Sequence, residues 1–225
     1  MVKTVFLCRR RPDIDHRRYE ELLLRGHVPL AIRHHPTMRR YVVNIVDRSH
    51  RDAPELDSIG ELWFDALDDF HHRLYDSPEG ADIIARDVAG FMGGADAYAT
   101  TEHVQRRPPA APRRGDATPA VKFVAAIRRS PALDHGQFVR HWLDRHVPLV
   151  LTDPLVIGYV NSVVDGALRG DPPAFDGFAE LYFASPEDLA THVAMAGERY
   201  AAIRDDLSRF LGGAAAWQVT EYVQL

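Results

Sequence analysis

Leu23-Leu24-Arg25-Gly26-His27-Val28-Pro29-Leu30 returns 119 positions later as Trp142-Leu143-Asp144-Arg145-His146-Val147-Pro148-Leu149. The same offset carries Pro12 to Pro131, Asp15 to Asp134 and Tyr19 onto Phe138. After a one-residue deletion Tyr41-Val42 meets Tyr159-Val160, and Ile45-Val46-Asp47 meets Val163-Val164-Asp165. The original offset then resumes. Glu61-Leu62-Trp63-Phe64 falls on Glu180-Leu181-Tyr182-Phe183, Phe91-Met92-Gly93-Gly94 on Phe210-Leu211-Gly212-Gly213, and Thr101-Glu102-His103-Val104-Gln105 on Thr220-Glu221-Tyr222-Val223-Gln224. A near-constant offset over half a chain is the signature of tandem duplication. The only two lysines, Lys3 and Lys122, sit in matching contexts at that offset. The chain divides into a first copy over 1–105, a Pro-rich linker over 106–119 that reads as stiff and exposed, and a second copy over 120–225.

Each copy is read once and checked against the other. Residues 2–9 and 121–128 are short apolar runs rich in β-branched residues, hence strands. Asp15 and Asp134 are helix N-caps. Phe138, Trp142 and His146 stand four apart and stack along one helix face, as do Tyr19, Leu23 and His27. Pro29 and Pro148 disfavour helical geometry in the residue before them, so each helix is expected to end near its histidine. Strands follow from Tyr41 and Tyr159, turn-rich loops over 47–57 and 165–176, and strands at Glu61 and Glu180. Helical stretches over 67–90 and 187–209 precede a last strand over 95–104 and 214–223. Gly93-Gly94 and Gly212-Gly213 read as helix C-caps or turns.

The order βαββαβ in each half predicts an α+β protein: two ferredoxin-like halves, each a four-stranded antiparallel sheet with its helices on one face. The bare faces of the two sheets are expected to cover each other, sheet to sheet, as an intrachain barrel. With 225 residues, 46% hydrophobic and 26% charged, the chain has the composition of a folded globular protein. A net charge of −5 gives no whole-chain attraction for nucleic acid or anionic membrane, so neither is expected as a partner. The single cysteine, Cys8, excludes an internal disulfide and reads as a buried, inert thiol. No apolar run is long enough for a membrane helix, and a cytoplasmic location is expected.

The Trp142-to-Leu149 run with the downstream Tyr159, its repeat from Leu23 to Leu30, and Asp57-Ser58-Ile59-Gly60-Glu61-Leu62-Trp63-Phe64 resemble the EthD-like branch of the dimeric α/β-barrel superfamily. The last segment is also similar to methylmuconolactone isomerase members of that branch. The resemblance spans both halves. It implies a small-molecule substrate and metal-free cyclase, isomerase or dehydratase chemistry; cofactorless oxidation and haem-dependent chemistry also occur in the superfamily. Isomerase-like members carry a cysteine between the glutamate and the aromatic, where this chain has Leu62 and Leu181, which argues against thiol chemistry.

His27 and His146 are the leading catalytic candidates, because imidazole gives and takes protons near neutral pH. The alternative for each is a core histidine hydrogen-bonded to backbone. Tyr41 and Tyr159 are placed to donate to a developing enolate, or are ordinary sheet aromatics. Glu61 with Trp63, and Glu180 with Tyr182, share one strand face and are expected to line the space between the sheets, where each carboxylate is a base or an arginine's partner. Trp142, Asn161 and His50 complete the candidate substrate contacts. Trp217 adds to the aromatics of the second copy, and the sequence leaves the working site open between the two copies. Arg9-Arg10-Arg11 and Arg128-Arg129 read as a solvated rim. His34-His35 and His71-His72 are adjacent pairs that do not converge on one ligand point, so no metal is expected. The expected enzyme needs no cofactor and acts on a small apolar or aromatic polyketide-like or catabolic intermediate. The rival is a non-catalytic ligand-binding or accessory protein, and a further homodimer is open to either.

Overall fold

The computed structural model describes residues 1–50, 53–169 and 173–225. The parts of the expected turn-rich loops at 51–52 and 170–172 lie outside the described residues. The first repeat runs β1 (Val2–Arg10), α1 (His16–Glu21), a π-helical segment (Leu22–His27), α2 (Val28–His34), β2 (Met38–His50), β3 (Ser58–Phe64), α3 (Leu67–His72), α4 (Pro78–Phe91) and β4 (Met92–Arg106). The second runs β5 (Val121–Arg129), α5 (His135–His141), a π-helical segment (Trp142–His146), α6 (Val147–Val150), β6 (Gly158–Arg169), β7 (Gly177–Phe183), α7 (Pro186–Ala194), a 3-10 turn (Glu198–Tyr200), α8 (Ala201–Phe210) and β8 (Leu211–Val223).

All eight strands close into one barrel in the order β1-β3-β2-β8-β5-β7-β6-β4. The two four-stranded halves, β4-β1-β3-β2 and β8-β5-β7-β6, enclose one interior as an intrachain barrel, as expected. They join edge to edge, β2 to β8 and β4 to β6, both antiparallel, which leaves no sheet edge unpaired. These seams also correct the expected loops. β2 continues to His50 and β6 to Arg169, because β8 and β4 supply partners for the extra residues.

Alternation along the strands sorts side chains into two environments. Val5, Leu7, Ile59, Phe178, Val124 and Trp217 fill the barrel interior. Leu62, Tyr41, Val43 and Phe64 face the first repeat's helices, and Tyr159, Leu181 and Phe183 face the second's.

Asp15 caps α1 by accepting from the Arg18 amide, and Asp134 caps α5 with Gln137 in a reciprocal capping box. The helices do not stop at the histidines. The Val28 amide donates to the Leu23 carbonyl and the Val147 amide to the Trp142 carbonyl, five residues back. This π register restarts the helix, so Pro29 and Pro148 fall in the first turn of α2 and α6, where a missing N–H costs nothing.

The paired glycines are strand residues. A Cβ on Gly93 would meet the Arg10 carbonyl, and one on Gly212 the Arg129 carbonyl, beside bulges in β1 and β5. Residues 107–120 strap one barrel mouth rather than standing free. The Gly115 amide donates to the Val223 carbonyl at 2.8 Å and the Thr118 amide to the Glu221 carbonyl at 2.9 Å. Arg10 and Arg129 are clamps on Asp57 and Asp176, not a solvated rim. No helix among the described residues is long and apolar enough to cross a membrane.

Candidate active site

Each repeat holds a pocket between its helices and the outer face of its sheet. In the second repeat this cavity is about 350 Å³, lined by Trp142, His146, Tyr159, His192, Phe210 and, from the other repeat, His50. Its counterpart in the first repeat is about 170 Å³, lined by Leu23, His27, His35, Tyr41 and Cys8. Each pocket wall brings together the histidine and the tyrosine of its own repeat.

The histidines come with a partner that the motif did not reveal. His27 Nδ1 lies 2.8 Å from Asp87 Oδ2, and His146 Nδ1 lies 2.9 Å from Asp206 Oδ2. Asp87 and Asp206 sit on α4 and α8 and are themselves separated by the repeat offset, which was the signal available in the sequence. The His146–Asp206 pair is the more enclosed, with side chains 7% and 10% exposed against 12% and 22% for His27–Asp87. Asp206 also binds His141 Nε2 at 2.8 Å, and both imidazoles pack on Phe210. Burial pulls the His146 pKa below the ordinary value, and the Asp206 carboxylate offsets only part of this. At neutral pH the ring is uncharged: Nδ1–H donates to the carboxylate and Nε2 keeps its lone pair.

Tyr159 is fully enclosed. Burial pushes its hydroxyl up to about 12, with Asn161 and Trp142 pulling the other way, so it remains a proton-bearing donor. Asn161 stands two residues along the same face of β6, completely buried, and neither of its amide atoms has a partner at hydrogen-bond geometry among the described residues. Trp142 covers this corner: its ring occupies the space a Cβ on Gly177 would need. In the first repeat Leu23 replaces the tryptophan, and Ser58 fits at the glycine's place, bound to Tyr19 at 2.7 Å. Trp217 is not part of the pocket. It faces the barrel interior and donates to the Pro54 carbonyl at 3.0 Å.

The glutamates and their aromatics do line the inter-sheet space, and so lie across the sheet from both histidines. Their partners are the two lysines, not arginines. Lys3 contacts Glu180, Glu61 at 3.4 Å and Glu102 at 3.3 Å; Lys122 contacts Glu180 and Glu221 at 2.8 Å and Glu61 at 3.2 Å. Tyr182 donates to Glu221 at 2.6 Å and the Trp63 indole to Glu102 at 3.3 Å. Burial alone would lower both lysine pKa values, and the surrounding carboxylates outweigh it, so both ammonium groups stay charged. Burial and the neighbouring Glu180 raise Glu61. The network floors a chamber of about 690 Å³ under the strap. Glu61, Trp63, Glu180 and Tyr182 thus line this chamber, as expected from alternation, and not the His–Tyr pockets.

Cys8 is buried and its thiol is pushed up to about 11 by burial, which keeps it protonated. His34 and His192 are taken by Asp76 at 3.0 Å and Asp153 at 2.8 Å. Among the described residues no group of three or more histidine, cysteine or acidic side chains is placed to hold a metal ion. The fit to haem fails on the linings. The larger pocket presents no arginine or lysine among the described residues to receive propionates. The smaller has room for little more than the single benzene that fills a cavity of roughly 150 Å³.

An eight-stranded α/β barrel made by one chain, with a His–Asp pair and a tyrosine in each helix–sheet pocket, is an intrachain version of the dimeric α/β barrel. The EthD domain family model matches residues 11–95 and again 130–214, and the chain belongs to that family. No curated protein sequence is significantly similar. Among solved structures, an anthrone oxidase-like protein aligns over 99% of this chain and 92% of its own, with TM-score 0.65 and 11% identity. A proposed monooxygenase from Fusobacterium nucleatum aligns over 100% and 92%, with TM-score 0.62 and 8% identity. Another, from Lactobacillus acidophilus, aligns over 99% and 96%, with TM-score 0.56 and 11% identity. At these identities the likeness establishes the fold alone.

Proposed function

We propose that the chain is a cofactor-independent general acid/base enzyme of the cyclase, dehydratase or isomerase type, working in the second-repeat pocket on a small apolar or aromatic molecule, polyketide-like or catabolic. The observation that carries this reading is His146: a neutral imidazole fixed by Asp206 at the wall of a largely apolar cavity that also holds Tyr159. A base that is neutral at working pH, with its tautomer set by a carboxylate, is what proton abstraction requires. His146 Nε2 takes the proton from a carbon next to a carbonyl, and the C–H electron pair moves onto the carbonyl oxygen. The Tyr159 hydroxyl donates to that oxygen as charge develops. The imidazolium then returns the proton, to another carbon in an isomerisation or to a departing hydroxyl in a dehydration. The volume of about 350 Å³ lies at the low end for ligand pockets and suits a compact substrate.

The test is hydrogen–deuterium exchange at the activated carbon of benzoylacetone in D2O, followed by NMR. The wild type is expected to accelerate exchange over buffer, and His146→Ala to lose roughly 10²- to 10⁴-fold of it. His27→Ala retains it. Because burial lowers the His146 pKa, the acid limb of the rate falls below the ordinary imidazole value of about 6.5. Folded His146→Ala protein with undiminished exchange overturns the assignment. A wild type that binds such ligands without accelerating exchange favours the rival reading, a ligand-holding protein.

A further inference from the structure

The long strands that seal the barrel carry one residue of each repeat into the other's pocket. His50, at the end of β2, pairs with Ala216 of β8 and lines the second-repeat cavity. Arg169, at the end of β6, pairs with Ala97 of β4 and lines the first-repeat cavity. Ala97 and Ala216 are equivalent by the repeat offset, so His50 and Arg169 occupy the same structural position in opposite directions. The two pockets therefore differ in the charge delivered to them. The second receives a histidine kept neutral by burial and by the nearby Arg48. The first receives a guanidinium, which is always charged.

We propose that the first-repeat pocket is a separate binding site for a small organic anion, a single-ring or similarly compact carboxylate, whose charge is read by Arg169 of the second repeat. Size sets the body of the ligand. A cavity of about 170 Å³ exceeds only slightly the roughly 150 Å³ that takes one benzene. Its walls are Phe6, Leu23, Leu62, Phe70 and Val88, which suit an apolar ring. Charge sets the head group. A carboxylate entering an apolar pocket needs a cation and hydrogen-bond donors to replace its water. Arg169 is the only arginine or lysine among the described lining residues, and no aspartate or glutamate lines the cavity among them to compete for it. The Tyr41 hydroxyl, held protonated by burial, offers a hydrogen-bond donor within the walls, and His27, with Nδ1 engaged by Asp87, adds a second polar side chain. Arg169 is solvent-exposed at the strand end, so its replacement removes the charge without opening the core. The inference is independent of whether His146 performs catalysis.

The experiment is titration of the full chain with benzoate and with the uncharged benzyl alcohol, followed by calorimetry and ligand-observed NMR at low and high salt. Benzoate is expected to bind more tightly than benzyl alcohol, and its affinity to fall with salt. Arg169→Ala should weaken benzoate by about tenfold or more and Arg169→Lys by less, consistent with the loss of a charge-assisted contact, while benzyl alcohol changes little. Arg169→His, which gives the first pocket the residue of the second, should erase the preference for the anion. His146→Ala should leave benzoate binding unchanged, which separates this site from the proposed catalytic one. Melting curves confirm that each variant folds. Equal benzoate affinity in wild type and Arg169→Ala, loss of benzoate binding in His146→Ala, or no benzoate binding by the wild type overturns the proposal.

Discussion

At the scale of single residues, environment separates histidines that the sequence presents alike. His27 and His146 share a motif and each has a carboxylate partner, yet the His146 pair is the more enclosed and lines the larger cavity. His35 shows the cost of burying an imidazole without an acid. Its Nδ1 lies 3.1 Å from the Leu74 carbonyl, to which it donates, and burial lowers its pKa to about 4. The unfolded chain takes up this proton as pH falls through about 6.5, whereas the folded protein refuses it until about 4. His35 therefore costs nothing above pH 6.5 and removes stability progressively as pH falls from there towards 4. The full span corresponds to about 3 kcal/mol at most. Urea unfolding at pH 7 and pH 4.5 is expected to show a smaller loss of stability in His35→Asn than in the wild type. Equal losses in the two proteins refute this account.

At the scale of elements, the helix preceding each pocket was only half legible. The capping aspartates, the strand apolar runs and the i, i+4 stacking of Phe138, Trp142 and His146 carry local chemistry that reads directly from the sequence. The π segments do not, because a shift from four- to five-residue hydrogen bonding needs no special residue and follows from packing. Read as a helix stop, the proline is locally sound, yet here it starts the next turn. The Trp142–Gly177 contact is likewise invisible until β7 and the helix are brought together, although Leu23 and Ser58 vary in concert with it between the repeats. It supports a sharp prediction. Gly177→Ala places a Cβ closer to the edge of the Trp142 ring than van der Waals contact allows, on a strand whose residues are all buried. A loss of roughly 1–3 kcal/mol in chemical denaturation is expected, as for other overpacked cores. Adding Trp142→Leu, the residue of the first repeat, should recover part of it. An additive double mutant argues against the contact as the cause.

At the scale of the whole molecule, duplication made the architecture legible and concealed its centre. The repeat offset and the βαββαβ order led to the barrel, because each half leaves one sheet face bare. Facing of Glu61 and Glu180 into the interior also followed from alternation. What alternation does not give is the partner, since that requires the register of strands more than a hundred residues apart. The chain's only two lysines turn out to be buried there, each bound to glutamates of both repeats. This network joins the halves through charge as the β2–β8 and β4–β6 seams join them through backbone. Its weakest point is the count of four carboxylates to two ammonium groups, which burial and mutual repulsion answer by raising Glu61. Lys122→Met keeps the length and removes the charge, leaving Glu221 without its ammonium partner and Glu180 and Glu61 with Lys3 alone. Breaking such a pair from one side typically costs about 3–5 kcal/mol, and the denaturation midpoint at pH 8 should fall accordingly. The sign of the pH response should also change. Without the ammonium, the folded carboxylates hold protons above the pKa of the unfolded chain, so acidification from pH 8 to 5 stabilises the variant relative to the wild type. Glu221→Gln in the same background should recover part of the loss at pH 8 and reduce the pH response. A Lys122→Met protein within about 0.5 kcal/mol of the wild type, the range of ordinary surface changes, would show that the network does not hold the halves together.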